Sequence, residues 1–251
     1  MRPGQKGCPV CGTGGGKGMA YFAREKPSLS RRALLISGMA GLVSDVLPRS
    51  GTAKTALVLP SDSANRRFAV FYKGDKIGAH TVLTTPETGE TRVTTEIVLV
   101  VKAFFFTMFA FSHRSEERWR NDRLVFLKSE TVEHGEQLSV EGASVPQGFR
   151  VVSKGGPFIA SADALTSNSL WSPAILDQET VIDAQHGGII GVSVRKLANE
   201  QISVLGRQVP TTRYRFITPY LAGSIWYDDA GRWVHGEFER DGAMIEYRLE
   251  A

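Results

Sequence analysis

Residues 211–249 read TTRYRFITPYLAGSIWYDDAGRWVHGEFERDGAMIEYRL. Four runs rich in β-branched and aromatic residues, Thr211 to Ile217, Ser224 to Tyr227, Trp233 to Glu239 and Met244 to Leu249, alternate with short polar breaks. Two of the breaks, Asp228-Asp229-Ala230-Gly231 and Arg240-Asp241-Gly242, put a glycine where a tight turn needs a positive φ. Aspartate serves such turns by local hydrogen bonding, so Asp228 and Asp229 read as turn formers before they read as catalysts. This cadence of strand, turn and strand is that of an antiparallel meander.

The same cadence extends back to Arg66. Phe68 to Tyr72 and Ile77 to Thr84 flank the turn Lys73-Gly74-Asp75-Lys76, and Pro86 to Glu90 turns into Thr91 to Val101. Phe104 to Ser112, Glu116 to Arg120 and Leu124 to Val132 follow, then shorter runs at Leu138 to Val140, Phe149 to Ser153 and Phe158-Ile159. Ile189 to Arg195 and Gln201 to Leu205 lead into the opening stretch. Ser161 to Gln178 breaks the pattern: Pro173 suits a first helical position with Ser172 as its cap, which predicts one or two short helices inserted between strands. About a dozen strands without crossover helices cannot lie as a flat open sheet. The expected fold is therefore mainly β, an antiparallel meander curled into a barrel or half-barrel, as a single domain over residues 66–251 behind a short linker at 54–65.

The N-terminus reads as an address. Ser30-Arg31-Arg32-Ala33-Leu34-Leu35 precedes a weakly apolar run, Ile36 to Val43, and then small residues at Gly51-Thr52-Ala53. A paired arginine, a short apolar run and a small-residue site make up an export signal. It resembles the twin-arginine (Tat) consensus, although Leu34 and Ile36 stand where that pattern prefers Phe and often Lys. Residues 19–53 are thus expected to be a signal peptide cleaved near Ala53, with Arg31 and Arg32 read by the Tat export machinery. The run is too short for a stable membrane anchor, which needs roughly 20 residues, and the mature protein is expected to be soluble and periplasmic. Residues 1–18 contain 7 of the 26 glycines and both cysteines. Cys8-Pro9-Val10-Cys11 lacks a second ligand pair for zinc, and Gly12 to Lys17 imitates a phosphate loop without its first glycine, its Ser/Thr or its preceding strand. The segment is best read as an extension upstream of a true start at Met19.

Charge supports this division. The chain has a net charge of +4, but residues 1–53 hold 8 of its 30 Lys+Arg and only 2 of its 26 Asp+Glu, which leaves 22 against 24, a net −2, for residues 54–251. A nucleic-acid partner is therefore not expected of the folded part. No cysteine follows Cys11, so the mature chain can form no disulfide and offers no site for lipoprotein acylation.

Ile97 to Phe111, IVLVVKAFFFTMFAF, is unusual because two strands through Lys102-Ala103 would be apolar on both faces. The simpler expectation is that the inserted helices cover the second face, with Trp171 and Leu176 as caps. The functional alternative is an apolar cavity for a lipophilic small molecule, lined by Phe104, Phe106, Met108, Phe109, Phe111 and Trp171. Little else points to chemistry. His80, His113, His134, His186 and His235 lack metal-ligand spacing, no Gly-x-Ser-x-Gly elbow exists, and Arg114 to Arg120 reads as a solvated strand of alternating charge. Neither a catalytic group nor a metal or cofactor is assigned from the sequence.

Trp171 to Leu176, Ile182 to Gly188, Trp226 to Trp233 and the ending Ile245-Glu246-Tyr247-Arg248-Leu249 together resemble a proteobacterial domain-of-unknown-function family of exported proteins. The resemblance spans most of residues 66–249 and carries no catalytic motif. Ser172 and His186 stand where that family's pattern has Asn and Asp, which argues against an indispensable catalytic role at either position. By architecture alone, the layout is also similar to the half-barrel lipoprotein carriers of the LolA/LolB type. Three functions follow as expectations. The first is non-enzymatic binding of a lipophilic ligand or an accessory role in the envelope. The second is a hydrolase or isomerase in which several of Asp163, Asp183, His186, Trp226 and Asp228 converge in one pocket. The third is a structural module that pairs through an exposed strand edge.

Overall fold

The computed structural model describes residues 64–103, 106–240 and 242–250. The twin-arginine pair, the cleavage site near Ala53, the Cys8/Cys11 segment and Phe104 lie outside them.

Strands dominate. β1 (Ala64–Tyr72), β2 (Asp75–Glu87), β3 (Glu90–Ala103), β4 (Phe106–Arg120), β5 (Arg123–Glu133), β6 (Glu136–Val145), β7 (Gly148–Ser153) and β8 (Gly156–Ala160) follow one another through tight turns. After an insertion holding the short pair β9 (Thr180–Ile182) and β10 (Ile189–Gly191), the meander resumes as β11 (Ser193–Val204), β12 (Arg207–Ile217), β13 (Ala222–Asp228), β14 (Trp233–Arg240) and β15 (Ala243–Leu249). Thirteen of these form one antiparallel sheet, in the order β11-β12-β13-β14-β15-β1-β2-β3-β4-β5-β6-β7-β8. The chain's last strand pairs with its first, Phe68 opposite Leu249 and Tyr72 opposite Ile245, which joins the two meanders. β8 and β11 stay at opposite ends of the order, so the sheet is curled but not closed.

The insertion fills the curl. It contains two 3₁₀ turns, Ser169–Trp171 and Pro173–Asp177, and the Ser172 side chain caps the second by accepting from the Ala174 N–H, as the Ser-Pro pair predicts. Leu165, Leu170, Trp171, Ile175, Val181 and Ile182 are buried in one cluster with Phe68, Val93, Trp119, Leu127, Phe149, Ile225 and Trp233 of the sheet. A sheet of this length must bury its concave side, and here its own chain supplies the filling. A second cluster lies toward the β3–β4 turn: Val70, Ile97, Leu99, Phe111 and Ile245 are buried, with Tyr72, Ile77, Phe109 and Tyr247 half-buried against them.

The structure corrects three expectations. Ser115, Glu117 and Trp119 are buried, so only the alternate residues Arg114, Glu116, Arg118 and Arg120 form the solvated face of β4. Gln201 to Leu205 is no separate strand: β11 runs unbroken from Ser193 to Val204 through a bulge at Lys196/Ala198. Trp171 and Leu176 do not cap the Ile97–Phe111 run, whose buried side chains Ile97, Leu99 and Phe111 lie in the second cluster. Trp171 meets Trp119 edge to face at 5.7 Å in the main core, which also takes Leu176.

Candidate functional site

Strand alternation aims Phe111, His113, Ser115, Glu117 and Trp119 of β4 into the curl, one apolar end and one apolar base with three polar groups between. The insertion meets the polar groups with its own. The Asn168 amide Nδ2 donates to His113 Nε2 and to Ser115 Oγ, each at 2.9 Å. His113 Nδ1 lies 2.8 Å from Thr131 Oγ1. Because Nε2 accepts, the proton sits on Nδ1 and is donated to Thr131; the imidazole is neutral. Burial pushes its pKa down to about 4, with Asp183 opposing and His186 reinforcing the shift.

Glu117 is a fully buried carboxyl group. Its carboxylate accepts from Thr166 Oγ1 at 2.5 Å and from Trp119 Nε1 at 3.0 Å. Ser169 Oγ lies 3.1 Å from Thr166 Oγ1 and accepts from the Thr166 N–H, so a hydroxyl chain runs from Ser169 through Thr166 to the carboxylate. Burial raises the pKa to about 7 against the pull of those two donors. Two strands away, on β2, burial holds His80 near a pKa of about 3, below its usual value, and neighbouring His113 adds to the shift. His80 Nε2 and Thr95 Oγ1 are buried without a hydrogen-bond partner among the described residues, as is Trp171 Nε1.

At the insertion's far end the turn Asp183–Gly188 is pinned to β5. His186 Nδ1 lies 3.0 Å from Asp183 Oδ2 and its Nε2 3.2 Å from Glu133 Oε2. The hydrogen bond to Asp183, opposed by desolvation and helped by Glu133, raises the pKa to about 9. The ring is an imidazolium at neutral pH, with both N–H groups engaged, so it holds no lone pair for use as a base. Gly187 takes φ +78°, and a Cβ there would lie 2.3 Å from Ser153, which wedges the turn against β7. Ser129 Oγ donates to the Ala184 carbonyl at 2.6 Å, Tyr227 OH to Leu170 O at 2.8 Å, and Arg66 Nη1 to Trp171 O at 3.3 Å.

The polar residues proposed for an enzyme do not converge. Asp183 meets His186, but Asp228 caps its own turn and pairs with Arg232 at 2.6 Å. Trp226 packs with Val204 and Val234 in a separate cluster and donates to Glu200. Asp163 lines an open surface cavity of about 590 Å³ beside Asp177 and Glu179. Among the described residues no His, Cys, Asp and Glu side chains group as a metal site.

The candidate cavity residues divide. Phe109 and Phe111 belong to the second apolar cluster, Trp171 to the first, and Met108 is 66% exposed. Met108 precedes the inward-facing Phe109, so strand alternation points its side chain away from the concave face, at a bulge where Val101 pairs with Phe109 and Lys102 with Thr107. The side chains of Phe104 and Phe106 lie outside the description. The residues that belong with Phe109 and Phe111 are Val70, Tyr72, Ile77, Leu99, Ile245 and Tyr247. They come from β1, β2, β3 and β15, and only the pairing of first and last strands brings them together.

These features define a class: an open, curled antiparallel barrel filled by an inserted segment of its own chain, with a second apolar cluster beyond the filling. Residues 68–250 match the family described as Domain of unknown function (DUF6134), and the chain belongs to that family. The fold is similar to a crystal structure of a beta-barrel-like protein of Domain of Unknown Function DUF1849 from Brucella abortus. The TM-score is 0.55 at 8% identity, over 76% of this chain and 97% of that one. The comparison with curated proteins finds no match. Among the described residues no helix is long and apolar enough to cross a membrane.

Proposed function

We propose that this chain is an exported, non-catalytic binding protein of the cell envelope, which takes a lipophilic ligand in the trough formed by Val70, Tyr72, Ile77, Leu99, Phe109, Phe111, Ile245 and Tyr247. The observation that carries the reading is the division of the concave face. The inserted segment contributes side chains to the main cluster and none to the second, where Tyr72, Ile77, Phe109 and Tyr247 are half-buried. An apolar concavity edged by tyrosines is the usual character of a small-ligand site. An enzymatic role has less support, because the polar groups that do meet are sealed or doubly hydrogen-bonded.

Organic extraction and native mass spectrometry of protein purified from an exporting host test the ligand. The expected result is a co-purifying lipophile, and uptake of a fluorescent fatty acid that falls at least about tenfold in Phe109→Asp, since a carboxylate at a half-buried apolar site must be desolvated when the ligand seats. A wild-type protein that carries nothing and takes up no probe would end the proposal. Export is tested separately. Arg31→Lys with Arg32→Lys keeps the charge but removes both planar guanidinium groups. Folded, uncleaved protein is expected to accumulate in the cytoplasm, whereas the wild type is recovered from the periplasm with an N-terminus near Lys54. Deleting residues 1–18 should change neither outcome. Normal export of the double variant would remove the twin-arginine reading.

A further inference from the structure

We propose that the convex face of β3, β4 and β5, at the end that bears the β3–β4 turn, docks on an anionic lipid bilayer. The inference goes beyond the ligand reading and stands without it, because the ligand would contact the concave face of the same strands and the bilayer the convex one.

The register orders this face in cross-strand rows. Glu96, Arg114 and Glu130 form a charged row. The next row toward the turn is Val98, Ser112 and Val132, and the one after it pairs Val100 with Ala110. Past that boundary the face becomes apolar and stays open to solvent: Val98 is 46% exposed, Val132 39% and Met108 66%. β3 and β4, of 14 and 15 residues, are the two longest strands, and Phe104-Phe105 joins them. A solvated strand face normally carries polar side chains, as β4 does from Arg114 to Arg120, so an apolar end on such a face calls for a covering surface.

Charge selects the bilayer. Residues 97–115 contain no Asp or Glu, while Lys102 lies exposed at the end of β3 and Lys73 in the neighbouring β1–β2 turn. Lysines beside a few exposed apolar side chains suit an anionic headgroup layer, into which the apolar groups dip while the ammonium groups reach phosphate.

The test uses the full chain with vesicles of phosphatidylglycerol mixed equally with phosphatidylcholine, and vesicles of phosphatidylcholine alone. Co-sedimentation with the mixed vesicles is expected, and hydrogen exchange should slow on the vesicle at Val98–Ala103 and Phe106–Ala110. Val98→Asp with Met108→Asp, both on exposed sites, should weaken binding at least about tenfold. Lys73→Glu with Lys102→Glu should remove the preference for the anionic vesicle. Phe109→Asp, which alters the trough, should leave vesicle binding unchanged, so that failure of the ligand reading and failure of this one are told apart. Equal binding to both vesicles, undiminished binding by the Val98/Met108 variant, or protection confined to the apolar run at residues 33–43 would each overturn the proposal. Self-association through the patch without vesicle binding would overturn it too and assign the face to a second copy.

Discussion

Trp119→Ala is expected to remove about 3–5 kcal/mol of folding stability, a large share of the roughly 5–15 kcal/mol that holds a domain of this kind together. The indole is fully buried, packs edge to face on Trp171, and donates to the most deeply buried carboxylate in the molecule. Its removal leaves a cavity between sheet and insertion and also takes one of Glu117's two side-chain donors. Trp119→Phe separates the two effects: the ring is largely kept, but the N–H is lost. An ionised Glu117 needs that donor more than a protonated one does, so the Phe variant should lose about 1–3 kcal/mol above pH 7 and less near pH 5. Urea unfolding followed by far-ultraviolet circular dichroism at the two pH values reads the difference. Equal losses at both would mean that the hydrogen bond does not stabilise the carboxylate.

How much of this interior the sequence discloses depends on the range of the interaction. Turns are local, so the glycines after Asp228 and Asp241 and the Ser172-Pro173 cap are legible from neighbours alone. The curl is legible from strand number, because so many strands must bury one face. The pairing of β15 with β1 joins segments more than 170 residues apart in sequence, and no local signal announces it. The polar interior is hidden for another reason. Arg114 to Arg120 alternates charged with buried residues, and a strand's period of two assigns Ser115, Glu117 and Trp119 to the same face as Phe109 and Phe111. Followed from the phenylalanines, the alternation would have placed a glutamate in the core. Read as charge pattern alone, it suggested solvent.

The trough shows the same limit. Ile97 to Phe111 is visibly too apolar for a solvated hairpin, but which residues complete it depends on strands distant in sequence, β1 and β15. Trp171 looked like a partner because it is large and apolar; Trp119, on the deeper end of β4, claims it instead. The inserted segment therefore closes one part of the curl and contributes no side chain to the second cluster.

That closure depends on groups that titrate in opposite senses, and stability is expected to peak slightly below neutral pH. His80 and His113 are depressed in the fold to about 3 and about 4 from 6.5. Their contribution is present above the unfolded value and is lost as pH falls through the folded ones. Glu117 is raised to about 7 from 4.5, so its contribution is present below 4.5 and is lost as pH climbs to 7. His186 is raised to about 9 from 6.5, and its clamp on Asp183 and Glu133 fades as pH rises through that window, weakly because the ring is partly open to solvent. Between 4.5 and 6.5 two histidines oppose one carboxyl, each worth about 1.4 kcal/mol per pH unit, so stability rises. Above 6.5 only the falling contributions remain. Glu117→Gln should steepen the rise below neutrality and remove the early part of the fall, while His186→Gln should flatten the limb toward pH 9. Denaturant midpoints taken across this range decide the matter: a wild type whose stability climbs steadily from pH 5 to pH 9 would mean that Glu117 is not held protonated by burial and that the link between β4 and the inserted segment is a solvated one.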